Sequence, residues 1–201
     1  MKNLVVFAGP NGSGKSTVTK GFLDPSYYSA YVNADIIQSQ LGLTELEAAQ
    51  KAEAAREILL AQGQNFAFET VLSTATNFDL LIRAKAFGYH ITCYYVLTID
   101  PKINIERVTT RFQAGGHNVS ATKVYHRYIR ALTLMPILFS ICDEVQVFDN
   151  SVDSRNNLAQ PIVICSNHNI VTYPSNIWSS DMLHSLLVGK YPTDYIFTAN
   201  R

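Results

Sequence analysis

The chain is poor in charge and in cysteine, and it has no long apolar run. Only 16% of its 201 residues are charged, and sixteen Lys plus Arg offset sixteen Asp plus Glu. A zero formal net charge excludes a general nucleic-acid coat, because neutralising a phosphate backbone takes an excess of cations. A local basic site is still compatible with it. The longest apolar stretch, Ala131 to Cys142, is broken by Pro136 and Ser140 and falls short of the about 20 residues that a membrane-spanning helix needs. The amino-terminal run Leu4-Val5-Val6-Phe7-Ala8 is shorter than the roughly 7–15-residue core of a signal peptide, and no cleavage pattern follows it. A cytoplasmic protein with no membrane and no nucleic-acid partner is therefore expected. The three cysteines, Cys93, Cys142 and Cys165, have no metal spacing, and their odd number and apolar surroundings suit buried, reduced thiols.

What is present is enough for a core. With 47% hydrophobic and 11% aromatic residues, disorder is excluded. A chain of this length buries roughly 70% of its unfolded surface, and one domain over residues 1–201 is expected. Leu4 to Ala8 reads as a central strand running through a Gly-rich turn into a helix over Ser16 to Phe22. A second short strand, Ala30 to Val32, leads to Asn33-Ala34-Asp35. A helix follows over Thr44 to Gln62, opened by a capping box at Thr44 and Glu47. Phe66 to Phe68 is a third strand ending at Glu69-Thr70, and Asn77 to Phe87 a helix stopped by Gly88. His90 to Ile99 is the clearest strand. Asp100-Pro101 opens a helix to about Phe112, Gln113 to Ser120 is a polar loop, and Ala121 to Ile141 is a helix interrupted at Pro136. Glu144 to Phe148 is a further strand. Ile162 to Cys165 and Ile170 to Tyr173 form a hairpin, and the remaining tail to residue 201 has little periodicity. The alternation predicts an α/β fold: a mostly parallel sheet with helices on both faces and a carboxy-terminal antiparallel hairpin, with the arginine-flanked polar loop at about residues 111–120 as an Arg-bearing lid.

The chemistry starts at Gly9-Pro10-Asn11-Gly12-Ser13-Gly14-Lys15-Ser16-Thr17, a complete phosphate-loop pattern between a strand and a helix. Its glycines let successive N–H groups turn toward phosphate oxygens, and the helix start adds its positive dipole end. Lys15 brings a full charge to the β- and γ-phosphates, and the Ser16 hydroxyl is the expected Mg²⁺ ligand. The Lys-Ser ending disfavours a dinucleotide site.

Asp35 and Glu69 follow the second and third strands, and ligands of open α/β sheets sit beyond the carboxyl ends of strands. Each carboxylate is placed to take a proton from an acceptor hydroxyl, orient it, or reach Mg²⁺ through water; Asp35 can equally cap a helix at Ile36-Ile37. Arg107 and Arg111 share one helix face, and Arg127 and Arg130 the next. Between them lie Gly115, Gly116 and His117. Arginines on both sides of a polar loop suit phosphate contact, against the alternative of pairs with Glu106 or water. His117 reads as a residue that structures the loop.

Together these residues resemble the zeta-toxin-like kinases. The resemblance lies in the phosphate loop, Asn33-Ala34-Asp35, Phe68-Glu69-Thr70-Val71-Leu72-Ser73, the stretch from Arg111 through Gly115-Gly116-His117 to Arg127-Tyr128, and Phe148-Asp149-Asn150-Ser151. It implies a P-loop kinase-type fold and an ATP- or GTP-dependent kinase acting on a hydroxyl of a small acceptor, as the best-known members do on UDP-N-acetylglucosamine. It further implies Asp35 as general base, Glu69 and Thr70 as acceptor-binding residues, Lys15, Arg111 and Arg127 on the phosphates with Arg107 nearby, and an antitoxin-type protein partner. The chain lacks the long insertions of the larger toxins, and Val71 stands where a second Thr is common. A kinase for an antibiotic or metabolite alcohol, or a non-catalytic nucleotide-binding module, are the alternatives.

Overall fold

The computed structural model describes residues 1–22, 28–114, 119–152, 159–167 and 169–189. Strand β1 (Lys2–Ala8) is the apolar run read above, with Leu4 to Ala8 buried on both faces. It pairs in parallel with β3 (Phe66–Thr70) on one side and β4 (Tyr89–Leu97) on the other. β2 (Ala30–Val32) extends the sheet beyond β3, and β5 (Glu144–Asp149) extends it beyond β4, both in parallel. The hairpin β6 (Gln160–Ser166) and β7 (Asn169–Thr172) adds two antiparallel strands, giving the order β2-β3-β1-β4-β5-β6-β7. The mostly parallel sheet and the antiparallel edge are those the sequence predicts. Because β1 to β5 run the same way, the segments that follow them gather along one edge.

One sheet face carries most of the core. Helix α3 (Glu45–Ala61) contributes Ala52 and Leu60, α4 (Thr76–Ala86) Phe78, Leu81 and Ala84, and α6 (Ala121–Leu134) Tyr128 and Leu132. The opposite face holds Val5, Phe7 and Ala67 with Tyr28, Tyr31 and Tyr94 packed on them, and α1 (Lys15–Phe22) lies there through Val18 against Val96 and Phe148. Thr44 and Glu47 form the expected capping box on α3. Pro136, which has no N–H to donate, breaks the long helix as expected: α6 gives way to a 3-10 turn over Met135–Ile137 and resumes as α7 (Leu138–Ile141).

Two helices lie outside the elements read from the sequence. No residue of helix α2 (Ala34–Leu41) is fully buried, and only Ala34 and Ile37 pack against the main core, too short a stripe to read. Beyond the hairpin, Trp178 is 2% exposed and packs into the main core with Leu183 and Leu186 of α8 (Ser180–Leu187). All three cysteines are buried, and none is in a disulfide. Among the described residues no helix is long and apolar enough to cross a membrane, and no group of His, Cys, Asp and Glu is arranged to hold a metal.

Candidate active site

Residues 9–17 join β1 to α1 in a loop that only glycine can turn. Gly9 sits at φ +139°, and a Cβ there would collide with the Val96 carbonyl oxygen of the next strand. Gly14 sits at φ +94°, where a Cβ would strike the Asn150 side-chain amide. Two amides clamp the outside of the loop. Asn104, on α5 (Pro101–Gln113), donates from Nδ2 to the Asn11 carbonyl at 2.6 Å, and Asn150 donates from Nδ2 to the Ser13 carbonyl at 2.8 Å. Asn104 is itself held by the Thr98 hydroxyl. The Lys15 side chain is buried, and its Nζ donates to the carbonyls of Gly9 at 2.9 Å and Pro10 at 3.1 Å. That burial lowers its pKa, while the charges of Glu69 and Asp35 pull the other way. The ammonium thus waits on two weak neutral acceptors, beside two carboxylates.

On the β2–β3 side the cap of α2 is Asn33, whose Oδ1 accepts the backbone N–H groups of Asp35 and Ile36. This corrects the cap reading of Asp35. The aspartate lies in the first turn of the helix, where the dipole favours its charge, and among the described residues its carboxylate makes no hydrogen bond. Glu69, the penultimate residue of β3, accepts from the Tyr31 hydroxyl at 2.9 Å, and the Ser16 hydroxyl lies 3.5 Å from the same Oε2. Burial, with the charge of Glu69, pushes the Tyr31 phenol well above its usual range, so it stays a donor. Asn33 donates from Nδ2 to the Tyr31 oxygen at 3.1 Å and completes the chain. The Thr70 hydroxyl is occupied structurally. It accepts from the Leu72 N–H and from Asn77 Nδ2, each at 3.0 Å, and so holds the turn in which Leu72 takes φ +55°.

These groups surround a cavity of about 310 Å³ that Asn11, Lys15, Asp35, Glu69, Thr70, Arg111 and Arg127 all line. A second cavity, of about 580 Å³, opens on the other side of Asp35 and is lined by Ser16, Tyr31, Ser39 and Arg111. Arg111 therefore faces both. Arg127 is pinned across the first cavity, its Nη2 2.7 Å from Glu45 Oε1 and its Nη1 3.4 Å from Asn11 Oδ1. Arg107 lies elsewhere: its Nη1 donates to the Asn150 carbonyl at 2.8 Å, beside the phosphate loop. Arg130 is exposed, and Gly115, Gly116 and His117 lie outside the described residues.

The residues missed in the sequence are mostly supports. Tyr31, Asn104 and Glu45 carry no motif of their own, and each was findable only through the strand end or loop it faces. Arg56 also lines the first cavity and had no signal beyond its place on a helix.

The zeta toxin family profile matches residues 1–177. Among solved structures, a chain of the AvrRxo1-ORF1:-ORF2 assembly with ATP superposes with a TM-score of 0.72 at 11% identity, over 96% of this chain and 65% of that one. A chain from the PezAT chromosomal toxin-antitoxin system of Streptococcus pneumoniae gives 0.59 at 15% identity, over 100% and 84%. A chain of the Pnkp1/Rnl/Hen1 RNA repair complex gives 0.51 at 18%, over 65% and 44%. The protein spans less than two thirds of the length of the AvrRxo1 chain. None of the curated protein sequences matches it. The structural likenesses show a shared α/β fold, and the profile match over most of the chain, phosphate loop included, establishes the family: the chain belongs to the zeta toxin family.

Proposed function

We propose that the protein transfers the γ-phosphoryl group of ATP, or of GTP, to a hydroxyl of a small acceptor held between α3 and the end of β3. The observation that carries this reading is the Asp35 carboxylate, free of hydrogen bonds among the described residues, in one cavity with Lys15, Arg111 and Arg127. A switch or a passive nucleotide holder has no use for an unbonded carboxylate facing the phosphates.

In the proposed reaction the phosphate loop takes the donor's phosphates, and Lys15 exchanges the carbonyls of Gly9 and Pro10 for phosphate oxygens. The acceptor hydroxyl approaches from the cavity side and gives its proton to Asp35 as its oxygen bonds to the γ-phosphorus. The bond from that phosphorus to the β–γ bridging oxygen breaks, and the nucleoside diphosphate leaves. Arg111 and Arg127 stabilise the charge spread over the three transferring oxygens. Ser16 and Glu69, whose oxygens face each other at 3.5 Å, form a hard-oxygen pair that fits Mg²⁺, with Ser16 as direct ligand and Glu69 through water. Bound there, the ion would neutralise phosphate charge. Tyr31 and Asn33 keep Glu69 aimed at that point.

The family resemblance makes UDP-N-acetylglucosamine the first acceptor to try, followed by other nucleotide sugars and by antibiotic or metabolite alcohols. An antitoxin-type partner is proposed on the same ground, since the structures likened to this fold include toxin-antitoxin assemblies. The test is nucleotide turnover with and without a mixture of hydroxyl acceptors. Stimulation by one acceptor, with a phosphorylated product recovered, is expected. Slow hydrolysis that no acceptor stimulates would leave a nucleotide-binding module.

A further inference from the structure

Helix α3 presents Glu45, Ala48, Ala52 and Arg56 to the acceptor cavity, at the spacing that puts them on one helix face. The alanines clear the middle of that wall, and Arg56 closes its far end. Its guanidinium lies 5.1 Å from the centre of the Phe68 ring, which fixes its plane on the floor of the sheet. The Nε is buried with no hydrogen-bond partner, and among the described residues no carboxylate forms an ion pair with it. The two acidic neighbours do not satisfy it. Glu57 is held by Arg83 at 2.5 and 2.7 Å, and Glu53 is exposed on the cavity rim, adding only a charge at a distance. Burial lowers the Arg56 pKa. A half-buried cation with no ion-paired carboxylate, oriented by an aromatic ring in the wall of a cavity, is an unfilled anion site.

We infer that Arg56 is an oxyanion-binding subsite of the acceptor pocket, so that the acceptor is an alcohol that also bears a phosphate or carboxylate group. The inference rests on the kinase reading for the identity of the pocket. The acceptor lies along α3, its hydroxyl at Asp35 and its anionic group on Arg56, and the alanines leave room for the body of the molecule. Neutral alcohols leave the guanidinium without a partner and are disfavoured. Arg56 thus selects among acceptors and touches neither the reacting oxygen nor the γ-phosphate.

The test uses the whole chain saturated with Mg²⁺ and a non-hydrolysable ATP analogue, so that the phosphate loop is filled. It is titrated calorimetrically with glucose 6-phosphate, glucuronate and glucose. The expected result is binding of at least one charged sugar about tenfold or more tightly than glucose. Arg56→Gln levels the three, and Arg56→Lys, which keeps the charge, retains a smaller preference. The tighter of the phosphate and carboxylate arms names the group. Equal behaviour of the three sugars with the unaltered chain, or a preference that survives in Arg56→Gln, overturns the subsite. Because the readout is binding, it separates the two ideas. Phosphoryl transfer without charge preference keeps the kinase and sinks the subsite, whereas preference without transfer does the reverse.

Discussion

Asn33 takes the capping role that would otherwise fall to Asp35: its Oδ1 accepts the Asp35 N–H at 2.8 Å and the Ile36 N–H at 3.3 Å. The division of labour predicts two different phenotypes. Asn33→Ala should cost about 1 kcal/mol of stability, the usual loss of a cap, and should also loosen Tyr31. Asp35→Asn should melt with the unaltered protein and bind nucleotide normally. It should nonetheless lose about 10²–10⁴-fold in transfer, the usual loss of a general base. Melting curves and acceptor-dependent turnover check both. Full activity in Asp35→Asn would send the search for the base to Glu69.

Removing the Lys15 ammonium should weaken nucleotide binding. Lys15→Ala loses charge-assisted contacts worth about 1.5–3 kcal/mol, and leaves the Gly9 and Pro10 carbonyls without their donor. ATP affinity measured by calorimetry should fall by the matching one to two powers of ten, with the melting temperature little changed.

The same lysine predicts a proton uptake. Its pKa in the folded chain is lowered from the ordinary 10.5, with burial the main cause. The cost of burying the charge is therefore full below the folded value and disappears as pH rises toward 10.5. Nucleotide phosphates need the ammonium, so affinity should decline through that lowered value, and at alkaline pH binding should draw a proton onto Lys15. Calorimetry in two buffers of different ionisation enthalpy reads the uptake, which Lys15→Arg should abolish.

Glu45 ties α3 to α6 by accepting from Lys123 at 2.6 Å and from Arg127 at 2.7 Å. Partial burial opposes its ionisation, but these two hydrogen bonds outweigh it and hold the carboxyl below its ordinary value. The tie is complete above pH 4.5 and is lost as pH falls through the lower, folded value. All three side chains are partly exposed, so Glu45→Gln should cost under about 1 kcal/mol. Its larger effect should be on turnover, through a less well placed Arg127. A fall in kcat with an unchanged melting temperature is the expected signature.

Arg111 lines both cavities and makes no hydrogen bond among the described residues. Arg111→Ala should therefore leave stability unchanged and lower kcat by about 10²–10³-fold, the loss expected for one donor to a developing charge. An equal loss in nucleotide affinity would instead make it a ground-state ligand.

The strands, the phosphate loop and the carboxylate positions were legible because each rests on a local rule, whereas the order of the strands across the sheet does not. A buried parallel strand is a continuous apolar run, a phosphate loop needs its glycines at fixed places, and parallel strand ends converge. What stayed hidden depends on tertiary contact. Helix α2 fully buries no residue and meets the core through Ala34 and Ile37 alone, too few positions to show a period. Trp178 finds its place only once α8 folds back onto the main core. The sequence pointed to Asp35 as the candidate cap of α2, where the structure uses Asn33; both are good cap residue types, and only the backbone path chooses. Arg56 becomes noticeable only when Phe68 is beneath it and Glu57 is seen to be taken by Arg83.

Strand β1 stands in the middle of the five parallel strands, with β3 and β2 on one side and β4 and β5 on the other. The cavity wall opposite the phosphate loop comes from residues 33–77, whereas the loop's two clamping amides and the arginines come from residues 104–150. On the proposed reading, acceptor choice is therefore written in one uninterrupted stretch of the gene, and donor handling in the two stretches that flank it. A single contiguous exchange between residues 33 and 77 that keeps Asp35 and Glu69 would hand the same phosphoryl-donating machinery a new alcohol. Lineages carrying this chain can diverge in what they phosphorylate while keeping how they do it.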